Sequence, residues 1–515
     1  MGIRVAGALS GALAALALPP FDLWFLAFGA LVPLALALSR PCLEYREIVA
    51  GGLWFGVIFY GVLLHWVPFT VHGLMPFGAL FGFLSITILA ATGGVQAIVL
   101  HYLIGRRARA PILAVPVVWV TTEVLLAYAG PFAIPWTPLG LSLAAVPVLA
   151  GPSEWVGVRG LSLWIALVNG GVVGCLLCPT RRWARLGAIA TLIVALGPAV
   201  VGVVRDRSLP MSRLPPVLVA QIDVPRNALI EPALRDQRSA EALVRILAPF
   251  SQDLGGTIAA VGAERPVIAI LPEAPFYESW NTGVENQMRG IARDLDLPIL
   301  VGAHVFDDNI SKRNNSEVPH NAIMLVEPDG ATRLVHSKIR LVPGVEYPGL
   351  LPGPRRGILQ IGGLSLGVAI CFEAAFGRDV RRLRKDGAEL LVNPTNDGWF
   401  RPSLFGIESA AHAQHRAHLI LRVVETRMGA VRSSLGGELL GIDPDGRISV
   451  IRPVGEEGMS TVLPLVSPIM TGYVLYGDAG VFAGLLFLVI LLFPRSKRTG
   501  MERPSRPSHV WGAFR

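Results

Sequence analysis

The chain has 515 residues, of which 52% are hydrophobic and only 16% charged, against roughly 25% charged in an ordinary soluble domain. That balance excludes a purely soluble globular protein, and the uneven spread of apolar residues divides the chain into a membrane part and a soluble part. The formal net charge of +8 does not indicate nucleic acid, because no basic stripe interleaved with aromatics accompanies it.

In chain order, seven apolar runs of a length that suits a bilayer precede residue 205, at about 5–19, 23–39, 50–66, 78–104, 111–128, 155–178 and 186–204. An eighth covers 475–493. The first run does not read as a cleaved signal peptide, since another apolar run follows Pro19 and Pro20 almost at once. Basic residues follow runs two (Arg40, Arg46), four (Arg106, Arg107, Arg109) and six (Arg181, Arg182, Arg185), while the gaps 20–22, 67–77 and 129–154 hold no Lys or Arg. By the positive-inside bias the amino terminus is cytoplasmic, the stretch after run seven is outside, and run eight returns the chain to a cytoplasmic tail bearing Arg495, Lys497, Arg498, Arg503 and Arg506. The expected domains are thus 1–204 (membrane), 215–467 (extracytoplasmic, periplasmic in a Gram-negative envelope), 475–493 (eighth span) and 494–515 (basic tail).

The 215–467 stretch alternates short Val/Ile/Leu runs with amphipathic segments, an α/β sandwich pattern. Strands are expected at 217–221, 267–271, 299–303, 322–327, 365–371 and 390–393, and helices at 239–254 and 287–295. Asp-Gly pairs at 329–330 and 445–446 signal hairpins. Of four cysteines, Cys42, Cys175 and Cys178 lie in or beside apolar runs, and the Cys-Leu-Leu-Cys spacing reads as small hydrophobes in a membrane helix. Only Cys371 belongs to the polar part, and neither a disulfide framework nor a metal site is expected.

Three ionisable residues stand at or just after expected strands: Glu273 ending Val-Ile-Ala-Ile-Leu-Pro-Glu, Lys338 in His-Ser-Lys-Ile-Arg-Leu-Val-Pro, and Cys371 ending Leu-Gly-Val-Ala-Ile-Cys. Each alone suits a solvated charge or a buried small thiol; together they suit covalent acyl chemistry. A thiol needs a base or a nearby cation to act as a nucleophile near neutral pH. Glu273 supplies a base, while Lys338 and the backbone N–H of Phe372 supply the contacts an oxyanion needs. Glu346 is placed to orient the ammonium and Glu373 to position a reacting group, though both also read as surface charges. Trp399 and Phe400 suit either a lipid-facing pocket wall or core packing, Asn396 and Asp397 a turn near the site, and His415 a structural role.

The order Glu, Lys, Cys resembles the nitrilase superfamily, and the seven-plus-one apolar runs around it resemble the bacterial apolipoprotein N-acyltransferases. The likeness rests on Lys338-Ile-Arg-Leu-Val-Pro-Gly-Val-Glu346, Cys371-Phe-Glu373, Asn393-Pro-Thr-Asn-Asp-Gly-Trp-Phe400, the segment from Arg422 to Glu425 with Arg432, Ile442-Asp-Pro-Asp-Gly446 and Leu18-Pro-Pro-Phe-Asp22. Ile230, Leu271, Phe372, Leu435 and Leu439 stand where that family usually has Trp, Trp, Tyr, Asn and Ser. The resemblance implies a polytopic helical membrane domain joined to an αββα catalytic sandwich. It implies ping-pong transfer of an acyl chain from a membrane phospholipid through a Cys371 thioester to the amine of a diacylglyceryl-apolipoprotein, with no cofactor or metal. Its site residues would be Glu273, Lys338 and Cys371, supported by Glu346, Phe372, Glu373, Asn396, Trp399, Arg422 and Glu425. Two other readings stay open: a divergent acyltransferase or amidase with another acceptor, and a catalytically silent membrane scaffold.

Overall fold

The computed structural model describes all residues except 73–76, 105–109, 179, 224–264, 276–278, 307–317, 347–348, 354–357, 401–408 and 494–515. Ile230, the helix expected at 239–254, the loop arginines at 106, 107 and 109, and the basic tail lie outside the described residues.

The first two hundred residues form apolar helices: α1 (Ile3–Ala17), α2 (Val32–Leu38), α3 (Tyr45–Leu63), α4 (Val67–His72), α5 (Gly78–Ile104), α6 (Ala110–Ala127), α7 (Pro147–Ala150), α8 (Ser153–Leu176) and α9 (Arg181–Arg207). Four of them, α3, α5, α8 and α9, are long and apolar enough to cross a bilayer, while the remaining expected spans form shorter apolar helices. The run at 23–39 is broken: a 3-10 turn at Trp24–Phe28 precedes the seven-residue α2. Asn169 on α8 makes that break tolerable, accepting from Leu31 N–H at 2.9 Å and donating to the Ala27 carbonyl at 2.9 Å. A buried polar side chain here does what helix hydrogen bonds do elsewhere in a bilayer. Small residues let α3 and α5 approach closely: a Cβ on Gly52 or Gly56 would strike the backbone of Gly93 or Ala90.

The remainder is an α/β sandwich followed, after its last strand, by the short helix Gly472–Tyr476 and the apolar helix Ala479–Leu492. Strands β1 (Ser212–Arg213), β2 (Val217–Ile222), β3 (Ala269–Ile270), β4 (Ile299–Val305), β5 (His320–Val326), β6 (Thr332–Ser337), β7 (Ile358–Ile361), β8 (Leu364–Val368), β9 (Leu390–Asn396), β10 (Gly429–Leu435), β11 (Leu439–Ile442), β12 (Ile448–Arg452), β13 (Gly458–Val462) and β14 (Leu465–Val466) are interleaved with helices α10 (Thr282–Leu295), α11 (Gly377–Lys385), α12 (Ala411–Thr426), α13 (Gly472–Tyr476) and α14 (Ala479–Leu492). One hydrogen-bonded path runs β6-β5-β4-β3-β2-β10-β9-β8-β7. β2 pairs with β13 along Val217 to Gln221 but with β10 only through Gln221 and Ile222, so the path divides there into two half-sheets.

Side-chain alternation explains the layering. Val217, Val219, Ile268 and Ile270 share an inner core with Leu366, Val368, Val392 and Val431 of the other half. Leu218, Ala220 and Ile222 face outward onto Val284, Met288, Ala292 and Leu295 of α10. Asn281 starts α10 by accepting from the N–H groups of Gly283 and Val284. The outer face of the second half, with Leu391 and Ala430, packs on α11 and α12 in a core continuous with the membrane helices. The two Asp-Gly signals mark real turns, with Gly330 at φ 90° between β5 and β6 and Gly446 at φ 88° between β11 and β12.

Candidate active site

β2, β3, β4, β8, β9 and β10 are mutually parallel, and the chain returns along β6 in the same sense. Their carboxyl ends therefore gather at one rim, where Glu273, Lys338, Cys371 and Asn396 sit just past or at the ends of β3, β6, β8 and β9. Cys371 lies in a 3-10 turn, beyond the strand expected to include it, and holds φ 47°. A left-handed conformation is costly for a residue with a Cβ and persists where the surroundings impose it. Asn393 imposes it in part, donating to the carbonyls of Ala369 at 2.7 Å and Cys371 at 3.4 Å. Ala274, next to Glu273, is likewise at φ 40°. Gly302 lies so close that any Cβ there would collide with the backbone of Glu273 and Ala274.

Lys338, 1% exposed, gives its ammonium to Glu273 Oε1 at 2.8 Å and to Glu346 Oε1 at 2.8 Å. Asn321 donates to the same two oxygens at 2.6 and 2.9 Å. The backbone N–H of Asn396 donates to Glu273 Oε2 at 2.8 Å, and that of Val342 to Glu346 Oε2 at 2.8 Å. Burial disfavours the Lys338 ammonium, but Glu273 and then Glu346 outweigh it and hold the group well above its usual range. Burial, then the Glu273 carboxylate, pushes the Cys371 thiol well above its ordinary value, against the pull of Lys338. The resting thiol is therefore protonated, and its proton must leave as the sulfur attacks.

Glu373 does not line the cavity beside the thiol. It is buried and receives His336 Nε2 at 2.8 Å and the N–H groups of Ile370 and Ile339 at 2.8 Å each. It thereby ties the cysteine turn to the strand end carrying Lys338. Burial opposes ionisation of Glu373, but His336 and these N–H groups outweigh it and lower the carboxyl below its usual value. Arg422 and Glu425 also lie away from the thiol, paired at 2.9 Å inside α12. Burial raises the Glu425 carboxyl to about 7 despite Arg422, and its Oε1 accepts from Val158 N–H at 2.7 Å. That N–H is free because α8 kinks at Gly157, φ 66°.

The thiol opens on an apolar cavity of about 230 Å³ lined by Phe372, Asn396, Trp399 and Phe400 on the sandwich side and by Trp66, Phe81, Leu89 and Trp136 on the membrane side. Asn396 Oδ1 is buried there without a partner among the described residues. The sequence pattern gave no signal for Asn321 and His336, whose polar side chains sit on strands, marked Arg432 only through the family likeness, and left His415 a structural role. His415 Nδ1 meets Asp397 Oδ1 at 3.1 Å and its Nε2 meets the Cys371 carbonyl at 3.1 Å. Arg432 reaches Asn393 Oδ1 and the His415 carbonyl, both at 3.1 Å. Burial opposes ionisation of Asp397, yet His415 and Arg432 hold it below the ordinary carboxylate range. The thiol, Asp397 and His415 lie within 4.8 Å of one another. Leu435 and Leu439 are buried core residues of β10 and β11.

The sequence pattern described as the apolipoprotein N-acyltransferase N-terminal domain matches residues 10–171, and that described as carbon-nitrogen hydrolase matches 267–463. The chain is 27% identical to the apolipoprotein N-acyltransferase of Geobacter metallireducens over 95% of this chain and 94% of that one. It is 24% identical to that of Pasteurella multocida over 94% and 93%. An amidase from Nesterenkonia sp. aligns with a TM-score of 0.37 at 17% identity over 54% of this chain and 98% of its own.

Proposed function

The chain belongs to the apolipoprotein N-acyltransferase family, a membrane-bound branch of the carbon-nitrogen hydrolases, and from that premise we propose how it moves an acyl chain. Cys371 Sγ attacks the ester carbonyl of a membrane phospholipid while Glu273 takes the thiol proton. The S–C bond forms, the ester C–O bond breaks, and Glu273 returns the proton to the departing lysophospholipid oxygen. Lys338 and the Phe372 N–H hold the oxyanion between these events. The α-amine of a diacylglyceryl-apolipoprotein then attacks the thioester; N–C forms, S–C breaks, and the amine proton passes through Glu273 to the thiolate.

Glu346 and Asn321 fix the ammonium, while Glu373, Arg422 and Glu425 hold the framework. Trp399 and Phe400 border the path of the acyl chain. The charge pattern of the loops supports a catalytic domain on the periplasmic side of a bacterial inner membrane, with both termini in the cytoplasm. The observation that carries the reading is one thiol, on a strained turn, facing both the Glu273–Lys338–Glu346 cluster and an apolar cavity half-built from membrane helices.

The test is intact mass of the detergent-purified protein and of Cys371→Ala, after phospholipid and again after a diacylglyceryl peptide. The expected result is an acyl adduct on the wild type only, discharged by the peptide. An adduct on Cys371→Ala, or none under conditions that acylate a control enzyme of the family, would refute the mechanism.

A further inference from the structure

A second cavity, of about 90 Å³, lies where α6 ends and α8 and α14 begin, lined by Tyr128, Gly130, Arg159, Arg340, Phe376 and Arg378. Its volume is several times the roughly 30 Å³ a water molecule takes in the liquid. It is a different space from the cavity beside Cys371, whose lining includes none of these arginines.

Three guanidinium groups converge on it. Arg159 and Arg378 stand over the same Tyr128 ring, 5.3 and 5.6 Å from its centroid, and Arg340 stands 4.9 Å over Phe376. Arg159 gives one N–H to Asp478 Oδ2 at 2.7 Å, and Arg340 gives its Nε–H to Asp379 Oδ2 at 2.6 Å. A guanidinium has five such donors, so these pairings commit a minority of the fork. Arg382 follows on α11, with its Nη1 3.8 Å from Asp379 Oδ1. Four arginines, Arg159, Arg340, Arg378 and Arg382, thus face two carboxylates, Asp379 and Asp478, while behind Arg159 lie Glu123 and Glu425, the latter paired with Arg422. The local excess is positive and calls for an anion.

Position selects the kind of anion. The cavity sits at the ends of three apolar helices, on the side where the sandwich begins, and exposed aromatics cluster at the same level: Tyr128, Phe132, Trp155 and Tyr476. Amphipathic rings settle at the headgroup layer of a bilayer. An anion bound here would therefore meet the membrane surface, with the exposed apolar faces of α6 and α14 below it, where Leu125, Phe482 and Leu486 are exposed. Arginine forks suit phosphate oxygens, donating two parallel N–H groups in a planar geometry that a lysine does not offer.

We propose that the Arg159–Arg340–Arg378 cavity is a binding site for the phosphate of a membrane phospholipid, separate from the cysteine cavity. The headgroup phosphate lies among the guanidinium groups and the acyl chains run down the α6–α14 surface. This assignment needs the chain to lie in a membrane and does not depend on acyl transfer.

The experiment is native mass spectrometry of the full-length protein in detergent, carried out on Cys371→Ala so that no acyl-enzyme forms. Dioleoylphosphatidylglycerol should remain bound after detergent is stripped, and dioleoylglycerol, which has the same chains and no phosphate, should not. Arg340→Gln with Arg378→Gln should weaken retention about tenfold or more, as expected for lost charge-assisted hydrogen bonds. Arg340→Lys with Arg378→Lys should fall between, which separates recognition from misfolding. Removing equal charge elsewhere, by Arg181→Gln with Arg182→Gln on exposed α9 positions, should change nothing. Equal retention by the glutamine double variant, equal loss in the α9 control, or equal retention of dioleoylglycerol would each overturn the proposal. Inorganic phosphate that raises the melting temperature with no retained phospholipid would also overturn it, leaving a free-anion site.

Discussion

Replacing Glu346 by Gln separates the two jobs its carboxylate does. Both oxygens are in use: Oε1 accepts from Lys338 Nζ at 2.8 Å and Asn321 Nδ2 at 2.9 Å, and Oε2 accepts from Val342 N–H at 2.8 Å. A glutamine has a single acceptor oxygen, so either amide orientation sets an NH₂ against a donor. A hydrogen bond to a charged group is worth about 1.5–3 kcal/mol, and loss of that hold on Lys338 at the transition state corresponds to roughly ten- to a hundredfold in rate. The thiol responds in the opposite sense. Glu346 is among the carboxylates that push the Cys371 thiol up, so its removal lets the thiol ionise at lower pH. At one fixed pH, acyl-enzyme formation measured by intact mass in a single turnover should slow, while alkylation of Cys371 by iodoacetamide should quicken. If both rates stay at the wild-type level, or both fall together, Glu346 does not act through Lys338 and the reasoning is wrong.

Two further outcomes test the framework. Glu373 has a depressed folded value, so its ionised form stabilises the fold fully above its ordinary value of 4.5 and that contribution is lost as pH falls through the lower folded value. Glu373→Gln should cost about 3 kcal/mol near neutral pH, as for a broken buried pair, and should flatten the acid limb of a melting-temperature profile; a wild-type acid limb would contradict this. Gly157→Ala puts a Cβ into the Tyr473 ring at φ 66° and should cost at least about 1–2 kcal/mol, read by thermal melting against Gly197→Ala, where a Cβ meets open space and the change should be neutral or stabilising.

Glu273 and Cys371 were legible because each follows a short apolar run, the form a strand buried on both faces takes in sequence, whereas Lys338 follows Thr-Arg-Leu-Val-His-Ser, a strand half open to solvent, and was legible through its motif. The same rule hid strand β10. β10 reads Gly-Ala-Val-Arg-Ser-Ser-Leu and is buried at every position, yet Arg432, Ser433 and Ser434 interrupt any apolar pattern. Their burial is satisfied across the chain: Ser433 Oγ donates to the Ala220 carbonyl at 2.7 Å and Arg432 reaches Asn393. Asn321 is separated from Glu273 by 48 positions, and nothing local marks a strand asparagine as the bridge between two carboxylates. The broken run at 23–39 was hidden likewise, since its compensating residue, Asn169, is 138 positions from Leu31.

The membrane helices do more than hold the sandwich at a surface. Gln414, one residue before His415, accepts from Trp66 Nε1 at 3.2 Å and Trp136 Nε1 at 2.7 Å, and donates to the carbonyls of Pro19 at 3.2 Å and Leu63 at 2.9 Å. One buried amide thus uses its oxygen and its nitrogen to fasten α12 to three membrane segments, those of Pro19, of Leu63 and Trp66, and of Trp136. Glu154 repeats the device farther along, pairing Arg205 of α9 at 2.8 Å and Arg427 at the end of α12 at 2.9 Å. Because the same α12 carries His415 onto the Cys371 carbonyl, a shift between the two parts of the chain would move the nucleophile's turn and the cavity wall together. The apolar cavity exists only with both parts in place, since Trp66, Phe81, Leu89 and Trp136 close the side that the sandwich leaves open. A substrate whose reacting ester is attached to long hydrocarbon chains needs such a wall, because those chains must stay out of water from the bilayer to the thiol.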